Sequence, residues 1–379
     1  MTRIKVAVLF GGISAEHEVS VITGLQVIEK IDKEKFDVCA IKLSQEGTFY
    51  YYPGLSSRKD YLTVKPRIVN FGKDNKGAYF QTPSVLKKKN HFDAAYLAFH
   101  GGNGESGQIQ GFLEILNVAY TSPDVESSSI SMNKVLTKEV LESHDIKTIP
   151  WIRVFAGDVK NNINGLVNEI TETISLPLII KPAHLGSSIA INVAKTKVEL
   201  KKFLLEASYV DSEILIEKFM ESFSEYNLSV RRVNGKFEVS EVEKPLSKDE
   251  ILSFADKYQR GEKKTGGMAS LARELPAKIP KKLKGELQNT AIRVFKTIRA
   301  KGLVRIDLVV IKGKVYVIEV NPIPGSMSYY LWEASGVSFK EQITGLINQA
   351  IKDREYKNSK KLEYKSDIVD RFVSTGDLR

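Results

Sequence analysis

The chain has 379 residues, of which 42% are hydrophobic and 27% charged, a composition typical of a folded protein with two or three domains. Its net charge of +10 is spread over short basic runs without interleaved aromatic residues, which argues against a nucleic-acid partner. No apolar run could cross a bilayer, the N-terminal residues lack a signal-peptide pattern, and the single Cys39 excludes an intramolecular disulfide. We therefore expect a cytoplasmic protein without a membrane partner.

The first segment has the pattern of an α/β domain. Residues 5–10 form a short apolar run typical of a buried parallel strand, Gly11-Gly12 follows as a turn, and Ser14 is predicted to be the N-cap of a helix. Residues 44–90 contain aromatic, hairpin-like pieces without a clear pattern. Further strands are predicted at residues 36–43 and 94–100, and a helix at residues 111–116.

The second and third segments alternate strands, helices and turns. A helix is predicted to open at Asn133-Lys134, and Asn234-Gly235 between two alternating runs predicts a hairpin with a type I′ turn. Residues 249–276 are polar and contain Gly266-Gly267, which indicates a loop. Short strands are predicted at residues 178–182 and 213–217, and the charged tail of residues 351–379 is interpreted as a peripheral helix or a partly disordered segment.

The strongest chemical signal is a predicted hairpin at residues 302–321. A turn centred near Gly313 sets Asp307 opposite Glu319 and Arg305 opposite Asn321, all on one face. Two carboxylates and an amide oxygen suit Mg²⁺, and the neighbouring guanidinium can stabilise an anionic transition state. The alternative is a solvated hairpin in which Arg305 pairs with one of the carboxylates. The rigid loop that follows, ending in Gly325, can present a backbone N–H and favours a functional site.

Other segments offer contacts for a nucleotide. The loop at residues 181–188 supplies Lys181, small residues and free N–H groups, although it is neither a Walker A nor a GxGxxG motif and could be a plain connection. Lys134 at a helix start is a second phosphate candidate, or a solvated lysine. Backbone groups of residues 217–220 could bind adenine and Glu225 both ribose hydroxyls, whereas Phe219 and Met220 are more often core residues.

The segment at residues 100–107 contains four glycines. So many glycines cost backbone entropy, which favours a close approach to a ligand over a simple turn. The other histidines do not have the spacing of a zinc site, and no G-x-S-x-G hydrolase motif is present.

Taken in chain order, these motifs resemble the D-alanine–D-alanine ligase family of the ATP-grasp superfamily. The resemblance extends from about residue 4 to about residue 350. It is carried by residues 11–20, 100–107, 132–134, 181–188, 217–225, 256–258, 305–307 and 319–321.

The resemblance implies an α/β fold of three domains, with ATP between the second and third. The domains are expected at residues 1–132 (a Rossmann-like domain with the donor site), 133–221 and 222–350, followed by the tail at 351–379. It also implies ATP and D-alanine as substrates, two Mg²⁺ ions replaceable by Mn²⁺, a role in peptidoglycan precursor synthesis and a homodimer.

The resemblance assigns residue roles as well. The donor ammonium would bind Glu16 in a network with Ser187 and Tyr258, and the oxyanion hole would comprise Arg305 and the N–H of Gly325. The metal ligands would be Asp307, Glu319 and Asn321. The remaining assignments are His100 for substrate and Lys134, Lys181, Ser188, Glu217, Lys218, Phe219, Met220, Glu225 and the loop residue Lys257 for ATP.

One segment departs from the family pattern. After Gly325 the chain is shorter than is typical, and Tyr330 falls where the family has a serine that binds the acceptor carboxylate. Ser326 or Ser328 could substitute for it. Three alternatives stay open on the sequence alone: a ligase with another amino acid or a hydroxy acid as acceptor, a non-catalytic nucleotide-binding protein, and a dinucleotide-dependent oxidoreductase. The last lacks a full GxGxxG motif and leaves the 302–321 hairpin unexplained.

Overall fold

The computed structural model describes residues 3–83, 88–186, 189–246, 273–360 and 366–375. Its strands are β1 Ile4–Gly11, β2 Phe36–Leu43, β3 Phe49–Tyr52, β4 Arg67–Ile68, β5 Asn70–Asp74, β6 Gly77–Gln81, β7 Asn90–His91, β8 Ala94–Leu97, β9 Ala119–Tyr120, β10 Trp151–Phe155, β11 Leu178–Pro182, β12 Asn192–Ala194, β13 Glu213–Lys218, β14 Ser224–Val233, β15 Lys236–Val239, β16 Lys244–Pro245, β17 Arg273–Glu274, β18 Leu303–Ile311 and β19 Lys314–Asn321. Its helices are α1 His17–Lys30, α2 Gly102–Glu105, α3 Gln108–Ile115, α4 Val125–Met132, α5 Lys134–Glu142, α6 Ala156–Thr173, α7 Lys197–Val210, α8 Lys281–Thr297, α9 Tyr329–Glu333, α10 Phe339–Asn358 and α11 Ile368–Thr375, with 3₁₀ turns at Arg58–Asp60 and Gly325–Ser328.

The first sheet has the strand order β4-β3-β2-β1-β8-β9. β1 is parallel to both β2 and β8, and its apolar residues are buried, as expected of a central parallel strand. The stretch that sequence patterns left unplaced supplies the antiparallel edge strands β3 and β4 and a separate sheet, β5-β6-β7. The helix predicted to follow Ser14 begins later, at His17, because Ser14 Oγ accepts a hydrogen bond from the Glu16 N–H within the preceding turn.

Two antiparallel sheets follow, with orders β10-β13-β11-β12 and β15-β14-β18-β19. Helices α6 and α7 pack with the first of them, and α8 covers the apolar face of the second. The hairpin predicted at Asn234-Gly235 is confirmed as the turn between β14 and β15, and both residues have the positive φ that a type I′ turn requires.

Helix α10 joins the last sheet to the first. Its apolar residues are buried in the core of the first sheet, together with Ile323 and Met327 from the loop that follows β19. The helix continues past residue 350, where the charged tail was expected to begin, and ends at Asn358. The core of the first sheet therefore depends on residues from both ends of the chain.

Candidate active site

Strands β18 and β19 carry the row of polar residues expected from the sequence. Asp307 faces Glu319 and Arg305 faces Asn321 in the observed register. On the other side of Asp307, β14 contributes Asn227 to the same row. The predicted grouping of two carboxylates, an amide and a guanidinium on one face of the sheet is thus confirmed.

The reason for this register differs from the predicted one. The turn is formed by Lys312-Gly313, so regular pairing away from it would bring Ile318 opposite Asp307 and turn Glu319 towards the other face. A β-bulge between Asp307 and Leu308 prevents this, because the extra residue on β19 restores the orientation of Glu319. The shared face of Asp307 and Glu319 thus depends on an irregularity that alternation alone does not reveal.

The polar row is held together by charge-assisted hydrogen bonds. Arg305 binds Asp307 in a bidentate manner, with Nε 2.7 Å from Oδ1 and Nη2 2.8 Å from Oδ2. The Asn321 amide nitrogen donates to Asp307 Oδ2 at 3.2 Å, which leaves the amide oxygen outside this bond. Both Arg305 and Asp307 are buried, so the pair is held in a defined geometry.

Lys134 reaches the same row from the start of α5. Its position is set by Asn133, whose side chain caps the helix by accepting from the Leu136 N–H, as the sequence predicted for the helix start. Lys134 Nζ lies 3.3 Å from Glu319 Oε1 and donates to the Leu185 carbonyl at 2.6 Å. The lysine therefore connects the polar row to the loop at residues 181–186.

A buried cluster of charges lies between α5, β11 and β13. Glu217 is 1% exposed and forms ion pairs with Lys138, at 2.6 Å, and with Lys181. Burial acts to raise the pKa of Glu217, but the two ammonium groups outweigh it and lower the pKa to about 2. Glu217 was expected to contact adenine, whereas its carboxylate is engaged by two lysines, of which Lys138 was not singled out from the sequence.

The residues after Glu217 have mixed environments. Lys218 Nζ donates to the Ser175 carbonyl at 2.7 Å, and Phe219 is buried. Met220 packs beside a small apolar cluster that includes residues of β18, as the core interpretation of this residue predicted. Glu225 is partly buried on β14. Their proposed contacts with the nucleotide stay predictions.

Glu16 is enclosed by two glycines from different loops. A Cβ atom at Gly101 would lie 2.6 Å from Glu16 Oε2, and one at Gly186 would lie 2.8 Å from the same oxygen. Gly101 also has a φ of +67°, which L side chains rarely adopt. Both glycines are therefore needed for the Glu16 carboxylate to reach its position.

The other glycines of the 100–107 segment have a different purpose from the predicted one. A Cβ at Gly102 would clash with the Ile13 carbonyl, and one at Gly104 would overlap the Phe99 ring. The glycine density therefore mainly permits close packing of this segment against the loop after β1 and against its own strand. The predicted close approach to a ligand holds at most for Gly101.

His100 joins three parts of the protein. Its Nδ1 lies 3.0 Å from the Ile323 carbonyl, which makes Nδ1 the donor, and its Nε2 accepts from the Thr23 hydroxyl at 2.8 Å. Burial lowers the pKa of His100 to about 4, against the opposing effect of the Ile323 carbonyl, so the imidazole is neutral at pH 7. His100 thus links α1 to the loop after β19.

Glu105 belongs to the glycine-rich segment at residues 100–107. It accepts hydrogen bonds from the Gly101 N–H, at 2.7 Å, and from the Ile323 N–H, at 3.1 Å. Burial and the nearby Glu16 carboxylate raise its pKa well above the usual range of a glutamate. These bonds join the glycine-rich segment to the loop after β19, a relation that no local sequence pattern indicates.

The segment after Gly325 forms a compact turn. Ser326, Met327 and Ser328 all have positive φ values, between 48° and 55°. Ser328 Oγ is buried without a hydrogen-bond partner among the described residues. The hydroxyl of Tyr330 donates to Glu243 Oε2 at 3.1 Å. Tyr330 is therefore a fixed, buried side chain in this structure.

Many of these groups line a single cleft. The cleft is lined by Glu16, His100, Glu105, Lys134, Arg305, Asp307, Glu319, Asn321 and Gly325, among others. Of the expected site residues, Ser187, Ser188, Lys257 and Tyr258 lie outside the described residues. The cleft therefore brings together residues far apart in the sequence to which the family resemblance assigns donor, metal and oxyanion roles.

Two family models match the chain. The model described as D-ala D-ala ligase N-terminus matches residues 5–123, and the model described as D-ala D-ala ligase C-terminus matches residues 140–348. The chain belongs to the D-alanine–D-alanine ligase family. It is an ATP-dependent ligase, as the motif resemblance implied, and the oxidoreductase and non-catalytic alternatives are excluded.

Relatives and solved structures agree over nearly the whole chain. A D-alanine–D-alanine ligase of Thermosipho africanus is 34% identical over 98% of this chain and 99% of its own length, and one of Acetivibrio thermocellus is 31% identical over 92% and 96%. The D-alanine–D-alanine ligase structure from Coxiella burnetii has a TM-score of 0.80 at 24% identity and covers 99% of each chain. The fold is therefore the three-domain ATP-grasp architecture.

Another solved structure bears on the acceptor. The VanG D-Ala:D-Ser ligase from Enterococcus faecalis has a TM-score of 0.77 at 25% identity and covers 92% of this chain and all of its own. The same fold therefore occurs in a D-Ala:D-Ser ligase.

The polar row fits a hard cation by its chemistry. Asp307 and Glu319 supply carboxylate oxygens and Asn321 an amide oxygen, the ligand types that Mg²⁺ takes from proteins in small number. Within the described part of the chain, no group of three or more His, Cys, Asp or Glu side chains forms a metal cluster.

Across the described residues, no helix is sufficiently long and apolar to span a membrane.

Proposed function

We propose that this enzyme joins two D-alanines through an acyl phosphate, with ATP as co-substrate and Mg²⁺, replaceable by Mn²⁺, as cofactor. The product, D-alanyl-D-alanine, serves peptidoglycan precursor synthesis in the cytoplasm. The observation that supports this reaction most directly is the shared cleft. It contains a carboxylate for an ammonium group, a lysine for phosphate, an oxygen-rich metal face and a buried arginine.

The donor D-alanine binds at Glu16. The carboxylate of Glu16, held between Gly101 and Gly186, accepts the donor ammonium, and Ser187 and Tyr258 complete the network. His100 is neutral at pH 7, so it contributes no charge that would compete for the donor carboxylate. This places the donor carboxylate towards the polar row.

The first step transfers the γ-phosphoryl group of ATP to the donor carboxylate, because a free carboxylate would have to expel oxide to react with an amine. The donor oxygen forms a bond to phosphorus as the bond to ADP breaks. Lys134 and Lys181 neutralise phosphate oxygens, and Lys257 is the further residue that the family resemblance assigns to ATP. Asp307, Glu319 and Asn321 would hold Mg²⁺, which would supply further charge neutralisation for the phosphate oxygens.

In the second step the acceptor amine attacks the carbonyl carbon of the acyl phosphate. A tetrahedral intermediate forms, phosphate leaves, and the attacking amine loses its proton. Arg305 and the Gly325 N–H stabilise the oxyanion. The bidentate bond to Asp307 fixes the Arg305 guanidinium before the substrate binds, so little reorganisation is needed.

ATP lies between the second and third domains, at residues 133–221 and 222–350, and the donor domain comprises residues 1–132. Backbone groups of residues 217–220, with the side chains of Lys218, Phe219 and Met220 around them, bind adenine. Glu225 binds the ribose, and Ser188 contacts phosphate. The matched family models, which divide between residues 123 and 140, support a boundary after the first domain.

The proposal also includes assembly of the enzyme as a homodimer, which light scattering would measure.

The acceptor carboxylate requires a donor near the oxyanion hole. Ser326 and Ser328 follow Gly325 directly, and the buried, unpartnered Ser328 Oγ is the better placed of the two for this bond. Tyr330, whose hydroxyl is taken by Glu243, acts as a wall of the acceptor pocket.

We expect Ser328→Ala to raise the acceptor KM for D-alanine about tenfold, the loss of one hydrogen bond to a charged group. Tyr330→Phe should leave that KM within about threefold, because the phenol does not contact the substrate. Steady-state kinetics with D-alanine separates the two half-sites, since their apparent affinities differ. The opposite pattern, with only Tyr330→Phe affecting the acceptor KM, would assign the carboxylate to the phenol.

The reaction is tested with purified enzyme, ATP, Mg²⁺ and a panel of D- and L-amino acids and D-lactate. We expect ADP, phosphate and a dipeptide with the mass of D-alanyl-D-alanine. A mixed product such as D-alanyl-D-serine at higher kcat/KM would retain the donor chemistry and replace the acceptor assignment. ATP binding without any ligated product would contradict the proposal.

A further inference from the structure

A buried cluster of two lysines and one glutamate lies behind the phosphate-binding loop. Lys138 and Glu217 are each 1% exposed, and Lys181 is 9% exposed. Both lysines contact the same carboxylate, and Lys138 also donates to the Ile149 carbonyl at 3.3 Å. The protein therefore contains a nearly inaccessible lysine one helical turn after Lys134, with no route to a substrate of its own.

The charge balance of this cluster is unusual for a protein interior. Two ammonium groups share the Glu217 carboxylate, and the other carboxylate near Lys138, that of Glu142, attracts it without forming a direct ion pair. The two lysines therefore keep an excess of positive charge within ion-pair distance of Glu217, and burying such a charge is costly. Burial lowers the pKa of Lys138, although Glu217 opposes this. A nucleotide phosphate is the anion that would compensate the excess positive charge, and Lys181, at the end of β11 beside the loop, is the more exposed of the two lysines.

We propose that Lys138 is a positioning residue for nucleotide binding, which neutralises Glu217 so that Lys181 can leave this carboxylate and bind the phosphates of ATP. Without Lys138, Lys181 would be the remaining cationic partner of Glu217 in the cluster, and moving it would leave a buried charge unpaired. This role rests on the proposed function in that Lys181 contacts phosphate. It adds a residue that touches neither substrate nor metal.

The test is the equilibrium binding of ATP, ADP and adenosine by calorimetry, with the full chain. The ratio of the adenosine Kd to the ATP Kd isolates the phosphate contribution from any adenine contact of Glu217. We expect Lys138→Met to lower this ratio about tenfold or more, because Lys181 stays on Glu217. The adenosine Kd and the KM for D-alanine should change little.

The double variant Lys138→Met/Glu217→Gln is the decisive comparison. It has the same net charge as the wild type, since one positive and one negative charge are removed, and Lys181 is no longer bound to a carboxylate. We expect its ratio to return to within about threefold of the wild-type value. A merely structural role of Lys138 would not be rescued by a second substitution in the same buried cluster.

Two outcomes would overturn the role of Lys138. One is an unchanged ratio in Lys138→Met, which includes an equal loss of adenosine and ATP binding, and the other is a double variant as impaired as the single one. If Lys138→Met does not fold, Glu217→Gln is compared with the double variant instead. These two proteins differ only by Lys138, and the ratio of the adenosine Kd to the ATP Kd should be the same in both. A wild type that does not bind ATP would instead contradict the proposed function, so the two failures are distinguishable.

Discussion

Arg305 and Lys134 each pair with a carboxylate of the proposed metal face. Arg305 holds Asp307 through two hydrogen bonds, and Lys134 Nζ lies 3.3 Å from Glu319. Both cations are buried, so removing the carboxylate partner of either would leave a buried charge without compensation, which is costly. At the scale of single residues, the site is therefore a set of matched charges.

The first prediction concerns Arg305. Removing one preorganised oxyanion donor costs about 10²–10³ in turnover, so Arg305→Ala should lose at least that factor with a smaller change in ATP affinity. Arg305→Lys, which keeps the charge but not the bidentate geometry, serves as the matched variant. Its turnover should fall between that of the wild type and that of Arg305→Ala. Single-turnover rates at saturating ATP measure the effect. Weaker ATP binding with an unchanged rate would make Arg305 a nucleotide contact instead.

The second prediction concerns the metal. Glu319→Ala should abolish turnover at ordinary Mg²⁺ concentrations and raise the Mg²⁺ concentration required for half-maximal activity, because a carboxylate ligand is lost. The control is Glu126→Ala, which removes an exposed carboxylate paired with Arg299. Circular dichroism should show both variants folded. Full activity of Glu319→Ala across a Mg²⁺ titration would remove Glu319 from the metal site.

At the scale of elements, small backbone irregularities orient the functional side chains. The bulge on β19 turns Glu319 to the side of Asp307, and the positive φ of Gly101 opens space for Glu16. Both features cost some regularity in strand or loop, and both occur where a carboxylate must be aimed. The geometry of the proposed donor and metal sites is therefore set by the backbone as much as by residue type.

The third prediction tests this for Gly101. Gly101→Ala places a Cβ 2.5 Å from Ser14 Oγ and 2.6 Å from Glu16 Oε2, so the Glu16 carboxylate must move. Gly54→Ala is a matched control, because Gly54 also has a positive φ, +72°, but nothing lies within 4 Å of its Cβ position. Both variants should lose about 1 kcal/mol of stability from backbone strain. Only Gly101→Ala should raise the donor KM, by about tenfold; equal KM values in the two variants would contradict the assignment of Glu16.

At the scale of the whole molecule, the first domain and the loop after β19 form one unit. His100 and Glu105 contact opposite ends of the Ile323 peptide groups, the former at the carbonyl and the latter at the N–H. Helix α10 buries Ile343, Leu346 and Ile347 in the core of the first sheet. The proposed donor site and the proposed oxyanion hole are therefore connected by buried contacts.

The fourth prediction is a pH dependence of stability. His100 has a pKa of about 4 when folded, against 6.5 ordinarily, mainly because of burial. Between these values the unfolded chain binds a proton that the folded protein does not, so stability falls as the pH decreases from 6.5 to 4. Urea unfolding at pH 7 and pH 5 should show that the wild type loses about 1–2 kcal/mol more than His100→Gln. Equal losses in both proteins would show that His100 is not held neutral.

Local patterns in the sequence determined a large part of this protein. The hairpin at residues 302–321, the turn at Asn234-Gly235 and the helix start at Asn133-Lys134 were predicted from patterns that act between near neighbours. The order of the motifs was sufficient to place the chain in its family, because the residues that carry the chemistry are of types few other side chains can replace.

Only the tertiary structure decided which distant residues meet. The contact of His100 with Ile323 spans 223 positions, and Lys138 and Glu217 come from a helix and a strand of different segments. The bulge on β19, the enclosure of Glu16 by Gly101 and Gly186, and the packing of α10 on the first sheet likewise depend on surfaces that form after the elements do. Burial, close packing and the pairing of buried charges are properties of the assembled interior, and a linear pattern does not specify them.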